Sequence, residues 1–126
     1  MSIAGGCICG KCRYEIDEEI TGGFLCQCTD CQKISGTGHS AFVVIKRNNI
    51  AVKGSVKTDD RKHENGNILS HIFCGECGNP LINQTSGYEE ICFVHVGSLD
   101  DPSIFKPGRV VHRQSGLSWD LNDPES

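Results

Sequence analysis

Seven of the nine cysteines in this chain of 126 residues fall into three tight clusters, and that spacing constrains the fold more than any other feature. Cys7-x-Cys9 lies near the start, Cys26-x-Cys28-x-x-Cys31 follows, and Cys74-x-x-Cys77 comes much later. Cysteines two or three positions apart do not readily bridge one another, but they can share a metal ion. The two outer pairs together offer four thiolates, enough to close a tetrahedral zinc shell. The middle cluster offers three, which leaves a position open for water or substrate. Two zinc ions are therefore expected, one in a closed structural site and one in an open site. Both outer pairs are followed by glycine, Gly10 and Gly78. A glycine there lets the backbone turn so that amides point at thiolate sulfur.

A disulfide framework is the competing use of so many cysteines, and an odd count leaves one over. The opening MSIAGGCICG has no charged stretch leading into a long apolar one, so no signal peptide is visible. A cytoplasmic location, where thiols stay reduced, is the expectation. The formal net charge is −4, and the twelve Lys and Arg are scattered. That disfavours nucleic-acid binding. No apolar run is long enough to cross a bilayer as a helix, so no membrane partner is expected. The length fits a single domain spanning residues 1–126.

The pattern is mainly β. Short β-branched and apolar runs lie between Gly, Asn and Asp clusters. Strands are expected at 12–16, 23–26, 41–46, 50–53, 55–60, 68–73, 81–84, 91–96 and 110–112. One short helix is expected from Thr29, where Thr with Gln32 three residues on forms a capping-box pattern. Gly36 would stop it after about two turns, which puts Cys31 in the first turn. Residues 60–66 read as a charged hairpin tip, and the polar tail 122–126 is expected to fray.

The open cluster could also be closed by a fourth ligand from elsewhere, with His39, His71, His95, Cys12 and Cys92 as candidates. His39 follows Gly36-Thr37-Gly38 and is a candidate acid or base. His71 reads as a hydrogen-bonded strand histidine. Cys12 and Cys92 read as buried thiols packing as small hydrophobes. Trp119 is expected at a core edge, and Arg13, Arg109 and Arg113 could clamp carboxylates.

With these residues laid out, the chain resembles the glutathione-dependent formaldehyde-activating enzyme family, which includes centromere-protein-V-like proteins. The similar segments are GGCICGKCRYE at 5–15, CQCTDCQKISG at 26–36, IFCGECGNPL at 72–81, VGSLDDPSIFKP at 96–107 and the late VVHRQSGLSW. The resemblance implies a zinc-stapled β-tent of antiparallel sheets. It implies that Cys7, Cys9, Cys74 and Cys77 hold a structural zinc, and that Cys26, Cys28 and Cys31 hold a catalytic one. It also implies a carbon–sulfur lyase that reversibly joins glutathione, or another small thiol, with formaldehyde or a related aldehyde. Gln27 departs from the common Cys-His-Cys-x-x-Cys pattern, and it is expected to point away from the metal. Two other readings stand beside this one: a non-enzymatic zinc-binding module for a protein partner, and a redox protein using Cys-x-x-Cys thiols.

Overall fold

The computed structural model describes residues 3–121, so the expected frayed tail at 122–126 lies outside the described residues. Two sheets make up the architecture. A three-stranded sheet has the order β1 (Ile3–Gly6), β2 (Arg13–Ile16), β5 (Ile50–Lys53). A seven-stranded sheet runs β10 (Val110–Val111), β3 (Gly23–Cys26), β4 (Ser40–Lys46), β9 (Ile91–His95), β8 (Pro80–Thr85), β7 (Ile68–Cys74), β6 (Val56–Lys62). One α-helix, α1 (Thr29–Ser35), joins β3 to β4. The expected mainly β chain with antiparallel sheets and one short helix is what forms. Among the described residues no helix is long and apolar enough to cross a membrane.

Three local differences have physical causes. Strand β1 was not expected, because Ile-Ala-Gly-Gly shows no alternation. It forms by pairing with β2, from Ile3 opposite Ile16 to Gly6 opposite Arg13. Gly5 is needed there, since a Cβ would collide with the Tyr14 phenol. One pair is parallel: β10 lies beside β3, with Val111 opposite Cys26. The expected hairpin tip is shorter than 60–66, because β6 continues to Lys62 opposite Ile68 and leaves the turn to the residues around Gly66.

The core lies between the sheets. In β2, alternation sends Tyr14 and Ile16 inward and leaves Arg13 and Glu15 exposed. They meet Val43, Ile45, Ile82 and Val94 of the large sheet, in one cluster with Cys12 and Cys92. Ile16, Ile45 and Ile82 are almost fully buried, which stabilises the fold by about 2 kcal/mol for each side chain. Cys12 and Cys92 are the buried thiols expected. The Gly97-Ser98-Leu99-Asp100 segment ties the small sheet to the end of β9. Ser98 Oγ meets the Tyr14 hydroxyl at 2.6 Å and donates to the His95 carbonyl at 2.7 Å. Asp100 pairs with the Arg13 guanidinium through both oxygens.

A second, smaller cluster sits on the other face of the large sheet. Phe24, Phe42 and Phe93 contact one another, with ring centroids 5.5 to 6.1 Å apart. Cys26 and Cys31 pack with them, and α1 is fastened there by Ser40 Oγ donating to the Cys31 carbonyl at 2.9 Å.

Candidate metal centres

The outer cysteine pairs form two matching turns. In the first, Gly10 N donates to the Cys7 carbonyl at 3.1 Å and Cys7 N to the Cys12 carbonyl at 3.1 Å. In the second, Gly78 N donates to the Cys74 carbonyl at 2.9 Å and Cys74 N to the Asn79 carbonyl at 3.0 Å. Gly10 and Gly78 have φ of 79° and 78°, the left-handed conformation that glycine takes without penalty. The turns aim amides at sulfur. Cys12 N reaches Cys7 Sγ at 3.3 Å, while Glu76 N and Cys77 N both reach Cys74 Sγ at 3.4 Å. Those amides, the Cys77 amide first, pull the Cys74 thiol down to about 6. Ile8 N donates to Asn79 Oδ1 at 3.1 Å and so links the two turns directly.

The four sulfur atoms lie within 4.8 Å of one another. Cys7 Sγ is 3.4 Å from Cys9 Sγ, which is 3.7 Å from Cys74 Sγ. A tetrahedral zinc–thiolate shell has sulfur–sulfur edges of about 3.8 Å, from its 2.3 Å bonds. The donor set and its amide support fit such an ion.

The middle cluster is built differently, from one short stretch of chain. Cys26 ends β3, Cys28 caps α1, and Cys31 is in the first turn of the helix. The sequence pattern placed the cap at Thr29. Instead Cys28 takes the extended capping conformation, and its sulfur accepts from Cys31 N at 3.3 Å. A sulfur acceptor here does the work of the usual Ser or Asp oxygen. Gln32 does not complete a capping box. Its Nε2 donates to the carbonyls of Gln27 and Ser115, each at 2.9 Å. Gly36 closes the helix as expected, with φ of 74°.

These three sulfurs also lie within 4.8 Å of one another. Cys26 and Cys31 are buried, and Cys28 is half-buried. Cys28 is held far below the usual thiol range, first by hydrogen bonds from the Cys26 thiol and then from Cys31, with the Cys31 amide and the charge of His112 adding to this. Cys26 and Cys31 are pushed up correspondingly. A metal ion binding to these three sulfurs would displace the thiol protons.

None of the five candidate fourth ligands joins this cluster among the described residues. His39 Nδ1 lies 3.1 Å from both Asp120 carboxylate oxygens. His71 Nδ1 and His95 Nε2 meet Asn83 Oδ1 at 3.1 and 3.2 Å. Cys12 and Cys92 stay in the other core cluster.

The chain between Val110 and Leu121 covers the cluster. Gln27 N donates to the Val111 carbonyl at 3.0 Å, and Gln27 Nε2 to Asp120 Oδ2 at 3.3 Å. Gln27 is therefore buried against this segment rather than aimed at the sulfurs. Asp120 joins it to His39, and a Cβ at Gly38 would collide with that carboxylate. Asp120 and His112 were missed by sequence reasoning. Only His112 carried a signal, as a histidine inside a family-like segment. Trp119, expected at a core edge, is 63% exposed instead. Of the three arginines named from the sequence, Arg13 is the one set against a carboxylate among the described residues.

The fold and its two thiol sets define a mainly β protein able to hold metal ions. The particular family follows from comparison: residues 2–115 match the model of the glutathione-dependent formaldehyde-activating enzyme family, and the chain belongs to it. A crystal structure of a Rhodobacter sphaeroides protein is similar in fold, with a TM-score of 0.67 over 85% of this chain and 98% of that one, at 18% identity. No curated protein matches the chain significantly.

Proposed function

We propose that this chain is a zinc-dependent carbon–sulfur lyase acting as one domain over residues 1–126. It would reversibly join glutathione, or another small thiol, with formaldehyde or a related aldehyde. The observation that carries this reading is the inequality of the two thiol sets, four against three, in a chain of this family. On this reading Cys7, Cys9, Cys74 and Cys77 hold a structural zinc, and Cys26, Cys28 and Cys31 hold a second with a position left open. A zinc ion in that second site would supply Lewis-acid polarisation of an aldehyde oxygen, or ionisation of a bound thiol.

In the reaction the thiol S–H bond breaks and sulfur bonds to the carbonyl carbon. The carbon–oxygen π pair moves to oxygen, and the proton ends there as the hydroxyl of an S-hydroxymethyl adduct. The reverse reaction breaks the carbon–sulfur bond. We assign the proton movement to His39. Asp120 accepts from its Nδ1–H, which fixes the tautomer with Nε2 as base. His39 shares a cavity of about 260 Å³ with Ser40, His95 and Ser98, beside the strand that fastens α1. Gln27 and Gln32 hold the C-terminal segment over the cluster and limit water there. The nine free thiols suit a reducing, cytoplasmic setting.

The deciding experiment follows exchange between glutathione plus formaldehyde and their adduct, with and without zinc-loaded protein. The expected result is exchange faster than the spontaneous rate, lost in Cys28→Ser. Exchange no faster than in buffer would overturn the reading.

A further inference from the structure

The outer face of the large sheet carries a polar row that the proposed reaction does not use. Register places Asp59 opposite His71, and His71 opposite Asn83. Asn83 is opposite Phe93, and His95 lies two residues further along the same face of β9. The three central side chains are bonded into a chain. Asn83 Oδ1 takes His71 Nδ1 at 3.1 Å and His95 Nε2 at 3.2 Å. A carbonyl oxygen can only accept, so both of these ring nitrogens carry hydrogen. With neutral His71, the proton is therefore on Nδ1, and Nε2 is a bare acceptor.

That atom stands out. His71 is 9% exposed, and its Nε2 is the buried side-chain nitrogen or oxygen without a hydrogen-bond partner among the described residues. Buried polar atoms are rarely left in this state, and each instance calls for a reason. His71 and Asn83 line a cavity of about 370 Å³ between α1 and the β6–β8 side of the sheet. This volume is in the range of small-molecule sites. Its apolar lining comes from Ile34, Ile72, Phe73 and Pro80, and its charged rim sets Lys33 and Arg61 beside the carboxylates of Asp30 and Asp59. Asp59 already engages Arg61 through Nε at 2.8 Å, which leaves the terminal guanidinium nitrogens to face a ligand.

We propose that this cavity is a binding site for a small peptide-like molecule, with an amide N–H donated to His71 Nε2 and a carboxylate met by Lys33 and Arg61. Aliphatic parts of the ligand lie on Ile34, Ile72 and Phe73. Asn83 and His95 are positioning residues that hold the His71 ring in the accepting tautomer. The inference deepens the proposed function, because it gives the peptide portion of a thiol such as glutathione a place on the same sheet face as the three-cysteine cluster, and it rests on that reading for the ligand's identity.

The test uses S-methylglutathione, whose sulfur is blocked, titrated into the zinc-loaded protein. The histidine ring nitrogens are followed by long-range proton–nitrogen NMR. The free protein should show His71 protonated at Nδ1, and saturation should shift its Nε2 resonance. Lys33→Ala and Arg61→Ala change exposed rim residues and should keep the fold while weakening binding by about 2- to 5-fold each, the worth of an exposed ion pair. His71→Phe should weaken it at least as much. Saturation without any movement of the His71 ring would overturn the proposal, as would absence of binding or rim variants that bind like the parent. Binding as described in a protein that fails to accelerate adduct exchange would support this site while removing the proposed reaction.

Discussion

The two cysteine sets use the same ligand atom but are assembled in opposite ways. The four-cysteine set joins turns 65 residues apart, and each half presents its own amides to sulfur. It holds β7 of the large sheet against the start of the chain. The three-cysteine set comes from six consecutive residues, and what it adds from a distance is cover: Val111, Ser115 and Asp120 close over it. A metal in the first would fasten distant elements together, whereas one in the second would rest on a helix start already made by local hydrogen bonds. The first set should therefore govern stability and the second reactivity.

The sharpest way to break that contrast is Cys77→Ser. A structural zinc contributes about 10–16 kcal/mol of apparent binding energy that is also folding energy. Losing one of its four ligands should cost on the order of 5 kcal/mol or more, read as a collapse of the denaturation midpoint with zinc content reduced. Unchanged stability and zinc content would sink the assignment. Cys28→Ser should do the reverse. Serine is itself a good cap and can accept from Cys31 N, so stability should change by less than about 1 kcal/mol. Exchange activity should fall by about 100-fold or more, the scale of losing an electrophilic catalyst.

A smaller effect tests the polar row as a third region independent of both metals. Burial above all holds His95 down to about 4, against an ordinary 6.5. Between these values the unfolded state binds the proton and the folded state resists it. Stability should then rise with pH across that window, with about 2 kcal/mol lost at pH 5 relative to pH 7. Urea unfolding of the parent and of His95→Gln at both values isolates this contribution from proton effects at the cysteines, which both proteins share. A pH dependence equal in the two would remove it. The smallest effect is expected from Asp120→Asn, which keeps a hydrogen bond to His39 but removes the charge that orients it. Exchange should slow by about 10-fold, with its pH profile moved and zinc content intact. An unmoved profile would leave Asp120 as a covering residue only.

How much of this was legible in the sequence differs by region. The turn at Cys74-Gly-Glu-Cys77-Gly could be read directly, because spacing and glycine fix it locally. The same holds for Gly36, whose left-handed φ of 74° ends α1 where expected. Strand β1 could not be read, since Gly5 matters only because Tyr14 comes close to it from the neighbouring strand. The cap at Cys28 was hidden for a different reason: a threonine beside it matched the usual pattern, while the chosen acceptor was a sulfur.

By itself the sequence determined the two cysteine pairs and the cysteine triplet, the helix that carries Cys31, and the mainly β character. Each depends on residues within a few positions of one another, where chain geometry leaves few alternatives. The tertiary structure decided the rest: Asp120 beside His39 across 81 residues, and one amide oxygen shared by His71 and His95. Those pairings arise from sheet register and from the path of the C-terminal segment. Both are set by burying the core as a whole, so no local stretch of sequence encodes them.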